Sequence, residues 1–165
     1  CADCGLVFLS PVMTAEAYGQ FYNGTYRPLV SAYHGRLIDA KSIQGEQRDY
    51  ARDRADFLAP FIEGAGYSSL LDIGGSTGVV AHHLSERFGL KATVIDPAPL
   101  EVEEARALGL ETITGLVEDY QPDGRHFDVV GLFQTVDHLL DIERTLKVVR
   151  SLIYPLGLLF VDIVD

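Results

Sequence analysis

The chain has 165 residues, enough for one domain with a real core, and 47% of them are hydrophobic, an ordinary share for a globular protein. Thirteen basic residues against 24 acidic ones leave a formal net charge of −11, and the basic residues are scattered, so a phosphate backbone is repelled and nucleic acid is not an expected partner. No apolar run approaches the ~20 residues that span a bilayer and no signal-peptide pattern is visible, so no membrane is expected and the reading is cytoplasmic.

In chain order, Cys1-Ala2-Asp3-Cys4-Gly5 comes first. In a zinc knuckle, a glycine after the second cysteine permits the tight turn that aims N–H groups at the thiolates. Cys1 and Cys4 make half of a tetrahedral zinc site, and no second C-x-x-C follows. A redox pair is the weaker alternative, because a thioredoxin-type C-x-x-C opens a helix and this one leads into the extended Leu6-Val7-Phe8-Leu9-Ser10-Pro11. Two reduced cysteines at a terminus are the plain reading. The chain starts at Cys1 and stops at Asp165 within an apolar run, so it reads as an internal fragment.

Thr14 caps a short helix, and Asn23-Gly24 makes a turn flanked by Tyr22 and Tyr26. That aromatic pair either closes over a ligand or staples the segment to the core. From Val30 to Ile62 the pattern is helical, with Tyr50, Ala51, Phe57, Leu58, Phe61 and Ile62 against a charged face. Gly64-Ala65-Gly66 ends it, and the main domain begins near Tyr67. Elements then alternate: strand 68–73, helix 78–88, strand 91–96, helix 98–107, strand 110–114, an irregular turn, strand 127–133, helix 141–152 and strand 156–163. Such alternation predicts right-handed crossovers and an α/β, doubly wound, mainly parallel sheet.

The chemistry centres on Leu70-Leu71-Asp72-Ile73-Gly74-Gly75-Ser76-Thr77-Gly78, a strand and a glycine turn that set a ligand over the next helix N-terminus. Strand 91–96 ends in Asp96, placed either to accept hydrogen bonds from both hydroxyls of a ribose or to cap the next helix with Pro97. A dinucleotide fingerprint would need glycine where Val79 stands, and no Gly-Lys-Ser/Thr follows for a P-loop. Asp72, two residues before the first glycine, would be repelled by a pyrophosphate. It suits a cationic ligand.

These residues resemble a class I S-adenosylmethionine-dependent methyltransferase. The acid before the Gly74, Ser76, Gly78 turn, Asp96, and Phe127-Asp128-Val129-Val130 carry the likeness. Cys4 to Pro11, Phe21-Tyr22 and Tyr26 are similar to a bacterial branch with an N-terminal zinc-ribbon-like segment, as are Asp137-His138-Leu139-Leu140-Asp141 and Leu152-Ile153-Tyr154-Pro155-Leu156-Gly157. The resemblance implies a remnant of that segment over 1–12, a helical cap or lid over 13–66, and an S-adenosylmethionine-binding α/β domain over 67–165. It also implies a Rossmann-like sheet lacking the C-terminal antiparallel hairpin, which leaves strand 156–163 an apolar edge open to self-association.

Carried over by position, Gly74, Gly75, Ser76 and Gly78 approach the amino-acid part of the cofactor, Asp72 orients the turn or meets the ammonium, and Asp96 with Pro97 receives the ribose. Val117 and Glu118 stand at the adenine, where Leu116 replaces a common acid; Gln134 touches the cofactor, and Tyr22 and Tyr26 cover it. Ser76 in place of a glycine requires a negative φ and a hydroxyl facing the ligand. His138 is the candidate general base and Asp137 its orienter; the alternative is that His138 caps helix 141–152 or packs beneath it. The expected activity is methyl transfer to a small-molecule acceptor, a sugar or glycan precursor, with S-adenosylhomocysteine as product and zinc only in a longer protein. A non-catalytic cofactor-binding module is the alternative, and an NAD-dependent oxidoreductase is disfavoured by Asp72.

Overall fold

The computed structural model describes residues 1–5, 7, 11–121 and 123–163, so the extended segment expected over Leu6 and Phe8-Leu9-Ser10 lies outside the described residues. Thr14 caps α1 (Ala15–Gln20), its side chain accepting from the Ala17 N–H at 3.2 Å. The expected Asn23-Gly24 turn is instead part of a π-helical turn, Phe21–Thr25, that carries α1 straight into α2 (Tyr26–His34). This wider coil keeps Tyr18, Tyr22 and Tyr26 on one stripe, with ring centroids 4.6 and 5.0 Å apart in succession.

The helix expected over Val30 to Ile62 is three pieces. Gly35 ends α2 in the left-handed conformation (φ 64°). Asp39 then starts α3 (Ala40–Glu46) with a reciprocal cap, its carboxylate accepting from the Ser42 N–H while the Ser42 hydroxyl accepts from the Asp39 N–H. After Gln47 runs α4 (Arg48–Ile62). It buries Ala51, Ala55, Leu58 and Ile62 in the same core as Leu70, so the boundary at 66/67 crosses a shared core.

The remaining elements are β1 (Ser69–Ile73), α5 (Val79–Phe88), β2 (Lys91–Asp96), α6 (Pro99–Ala107), β3 (Glu111–Thr114), a 3-10 turn (Val117–Asp119), β4 (Phe127–Phe133), a second 3-10 turn (Val136–His138), α7 (Ile142–Leu152) and β5 (Ile153–Asp162). The strands form one sheet in the order β3-β2-β1-β4-β5, every pair parallel. Alternation along β1 sends Leu70 to the core beneath α4 and α5 and Leu71 and Ile73 to the core beneath α7. Asp72 points to the Leu70 side, which is why a carboxylate there is buried.

The turn expected at Pro155-Leu156-Gly157 lies inside β5, which begins at Ile153. Pairing with β4 passes from Phe127↔Ile153 to Val129↔Leu158, so the extra residues bulge outward. Leu156 takes a φ of 69° and is 96% exposed. A Cβ on Gly157 would sit 2.9 Å from the Asp128 carbonyl oxygen, so glycine lets the bulge lie against β4. β5 is an edge strand, and among the described residues nothing pairs with its outer side.

Candidate functional site

Connections lead from β1 to β2 and β3 on one side and return to β4 and β5 on the other. A doubly wound sheet opens a crevice at such a switch point, beyond the carboxyl ends of its strands. There the chain encloses a cavity of about 390 Å³, floored by the ends of β1, β2 and β4 and roofed by α1 and α2. Of the predicted site residues, Asp72, Gly74, Gly75, Ser76, Asp96, Pro97, Val117, Glu118, Gln134, Tyr22, Tyr26 and His138 line it, whereas Gly78 and Asp137 do not.

The glycines of the turn have separate duties. A Cβ on Gly74 (φ 69°) would meet the Thr135 side chain at 2.4 Å, and one on Gly75 would meet Asp72 Oδ2 at 2.6 Å. Gly78 (φ 75°) serves packing: its Cβ would strike Leu110 Cδ1 at 2.6 Å and Ala105 Cβ at 2.9 Å, so it seats the start of α5 on α6 and the residue preceding β3. The close approaches are therefore within the protein. Ser76 departs from expectation as well, with a φ of 50° and its hydroxyl given to Glu101 rather than to the cavity.

Asp72 is 1% exposed, and among the described residues its two oxygens and Thr77 Oγ1 are the buried side-chain oxygens with no hydrogen-bond partner. Burial, reinforced by the nearby Asp96 charge and opposed slightly by the Ala81 N–H, pushes its pKa up to about 7. Asp96 is held at both oxygens: Oδ1 accepts from the Ala98 N–H at 2.8 Å and Oδ2 from the Ser76 N–H at 2.9 Å. It thus caps the entry to α6 while facing the cavity, and each oxygen keeps a lone pair. Burial raises its pKa to about 6 against those two N–H groups.

Both are acids with raised pKa values, so their protonated forms favour the fold. That contribution is complete below the unfolded pKa near 4 and is lost as pH climbs through about 6 and about 7. The melting temperature of the ligand-free protein, followed by calorimetry, is accordingly expected to fall between pH 5 and pH 8.

At the other end of the cavity Tyr22 Oη lies 2.7 Å from His138 Nδ1, and the Tyr18 hydroxyl donates to the His138 carbonyl. Burial raises the pKa of both tyrosines, which stay neutral. Asp137 Oδ2 is 3.6 Å from His138 Nε2, outside the cavity wall. His138 belongs to the 3-10 turn preceding α7, whose N-cap is Asp141, so it is not the cap of that helix. Glu118 lines the cavity but receives the Thr145 hydroxyl of α7. Gln134 has a φ of 52° and donates its N–H to the Asp162 carbonyl at 3.1 Å.

Sequence reading missed Arg27, Glu101 and Thr135, all of which line the cavity. Glu101 carried a signal, an acid five residues after Asp96 in the first turn of α6; Arg27 and Thr135 carried none. Cys1 and Cys4 lie exposed in the N-terminal turn, and among the described residues no group of three or more His, Cys, Asp or Glu side chains is arranged to hold a metal ion. No helix among the described residues is long and apolar enough to cross a membrane.

A family model described as a methyltransferase domain matches residues 43–165. A ubiquinone biosynthesis O-methyltransferase of Methylobacterium sp. (strain 4-46) is 32% identical over 100 residues, covering 56% of this chain and 39% of the relative. One from Xanthomonas oryzae pv. oryzae (strain PXO99A) is 29% identical over 156 residues, covering 90% of this chain and 64% of its own. The chain therefore spans less than two thirds of these relatives. Among solved structures, CalS10, an amino pentose methyltransferase from Micromonospora echinaspora in its SAM-bound form, superposes with a TM-score of 0.62 at 23% identity, over 87% of this chain and 58% of that one. The shared feature is the fold.

Proposed function

Because the chain belongs to the methyltransferase domain family, we propose that its cavity binds S-adenosylmethionine and that the protein transfers the methyl group to a small-molecule acceptor, a sugar or glycan precursor. The observation that carries this reading is Asp72, a buried carboxylate on the cavity wall whose two oxygens have no hydrogen-bond partner among the described residues beyond the weak pull of the Ala81 N–H. An orphaned buried acid costs stability, and a cationic ligand relieves it. The ammonium and sulfonium of this cofactor supply that charge, whereas a pyrophosphate does not. The curated relatives are named for O-methylation, which favours a hydroxyl as the accepting group.

Bound there, the cofactor supplies a methyl group already activated by the sulfonium. The residues of this chain then need to orient, exclude water and receive a proton. Asp96 offers its remaining lone pairs to the ribose hydroxyls. Tyr18, Tyr22 and Tyr26 cover the cavity from α1, the π-helical turn and α2. His138 takes the proton of a hydroxyl acceptor at Nδ1, the nitrogen facing Tyr22, once the Tyr22 hydroxyl gives way, and Asp137 at 3.6 Å from Nε2 favours the resulting imidazolium. One observation favours the second reading, a cofactor-binding module without turnover: Nδ1 of His138 is already engaged by Tyr22.

Thermal unfolding tests the proposal. A ligand present at 100 times its Kd adds about 2.7 kcal/mol, so millimolar S-adenosylmethionine or S-adenosylhomocysteine is expected to raise the melting temperature by roughly 5–10 °C. No shift with either would sink the reading, and a shift with NADH alone would revive the oxidoreductase.

A further inference from the structure

Ser76 occupies backbone that ordinarily calls for glycine. Its φ of 50° crowds a Cβ against the following carbonyl, and two carboxylates hold it there. Its N–H donates to Asp96 Oδ2 at 2.9 Å, and its hydroxyl donates to Glu101 Oε2. Glu101 is 6% exposed, and its other oxygen accepts from Arg27 Nε of α2 at 2.5 Å. Arg27 Nη2 in turn lies 3.5 Å from Ser76 Oγ. The four residues form one chain from the roof of the cavity to its floor, Arg27 to Glu101 to Ser76 to Asp96. All four line the cavity.

We propose that Glu101 is a positioning residue that clamps Ser76 in the left-handed conformation and so fixes the shape of the turn beneath the cofactor, with Arg27 holding the clamp in register with α2. The inference rests on the reading of the cavity as a cofactor site, since it assigns Glu101 an effect on cofactor binding. Asp96 alone does not do this work, because its bond to the Ser76 N–H fixes the position of one peptide and leaves the side chain free to pull the backbone toward a less crowded φ. A glycine at 76 has no Cβ to relieve and needs no clamp. Glu101 should therefore matter only while residue 76 is serine.

A double-mutant cycle measures this dependence. Binding of S-adenosylhomocysteine by isothermal titration is expected to weaken about tenfold in Glu101→Met, an estimate from the typical cost of a non-glycine residue in sparsely populated backbone. Glu101→Gln still accepts from the Ser76 hydroxyl and should stay within roughly threefold of wild type. Ser76→Gly removes the Cβ that the clamp restrains and sets the second baseline of the cycle, whatever its own affinity. In the Ser76→Gly background Glu101→Met should cost at most about threefold, that remainder reporting the lost Arg27 pair, which both backgrounds lose alike. Equal tenfold losses in the two backgrounds would overturn the proposal.

The melting temperature of the ligand-free variants gives an independent readout. Glu101→Met is expected to lower it by about 3 °C in the serine protein and by less than about 1 °C in the glycine protein. Equal drops would overturn the clamp. If the wild-type protein binds neither S-adenosylmethionine nor S-adenosylhomocysteine, the cofactor reading fails, and the thermal cycle still decides whether Glu101 holds Ser76.

Discussion

Asp72→Asn is expected to stabilise the ligand-free protein and to abolish useful cofactor binding, two effects of opposite sign from one substitution. The carboxyl is buried with a pKa of about 7, roughly three units above its unfolded value, so at pH 8 its ionised form costs the fold on the order of 4 kcal/mol. Asparagine removes that charge but buries an amide without partners, which returns about half of the gain. A net rise of about 5 °C in melting temperature at pH 8 follows, shrinking toward zero at pH 5, where the native Asp72 is mostly protonated. Binding moves the other way: losing a buried acid that faces the cavity without a cationic partner among the described residues should weaken S-adenosylmethionine at least about a hundredfold, the usual scale for removing one partner of a buried charge pair. Calorimetry at the two pH values and isothermal titration check both halves. A lower melting temperature together with intact binding would mean that Asp72 is a structural group.

Gly74→Ala is expected to be the most damaging single change in the turn. Alanine would have to take a φ of 69° while its Cβ met Thr135 Cγ2 at 2.4 Å and Oγ1 at 2.7 Å. Thr135 is 9% exposed and its hydroxyl donates to the Phe133 carbonyl, so it has nowhere to retreat. Backbone strain and overpacking together should cost roughly 3–4 kcal/mol, a fall of about 10 °C in melting temperature. Because the turn is displaced, S-adenosylhomocysteine binding should go as well. Adding Thr135→Ala removes the two closest contacts, keeps the Thr135 Cβ at 3.2 Å and leaves the φ strain, so the double variant should recover about half of the lost stability. Full recovery would show that the left-handed φ carries no cost; no recovery would show that Thr135 is not the obstacle.

The layout of the sheet was readable because each strand is short, aliphatic and bounded by its own turn signal. β4 was predicted residue for residue, and β1 within one residue. Where tertiary contacts overrule local signals, reading failed. Gly35 and the Asp39–Ser42 cap interrupt an amphipathic pattern whose periodicity runs on without a break. The proline and glycine near residue 156 look like a turn, yet β4 captures the backbone on both sides and turns them into a bulge. In the site, Asp72 and Asp96 could be placed because each sits at a strand end fixed by pattern. Arg27 and Thr135 could not, since Arg27 reaches the floor from 74 residues before Glu101, and Thr135 meets Gly74 only because β1 and β4 are neighbours.

The roof of the cavity differs in kind from its floor. No residue of α1, the π-helical turn or α2 is fully buried, while the sheet carries two dense cores. The segment leans on the body through the Tyr18, Tyr22 and Arg27 contacts, and the body owes it little in return. Detachment of residues 15–34 is therefore expected to cost less than complete unfolding, which native-state hydrogen exchange of their amides would show as lower protection than in the sheet. On that expectation, access to the cavity and durability of the fold would respond to different substitutions. Substitutions in the roof can retune ligand exchange, or reshape the acceptor side, without drawing on the narrow margin of stability that holds the sheet together.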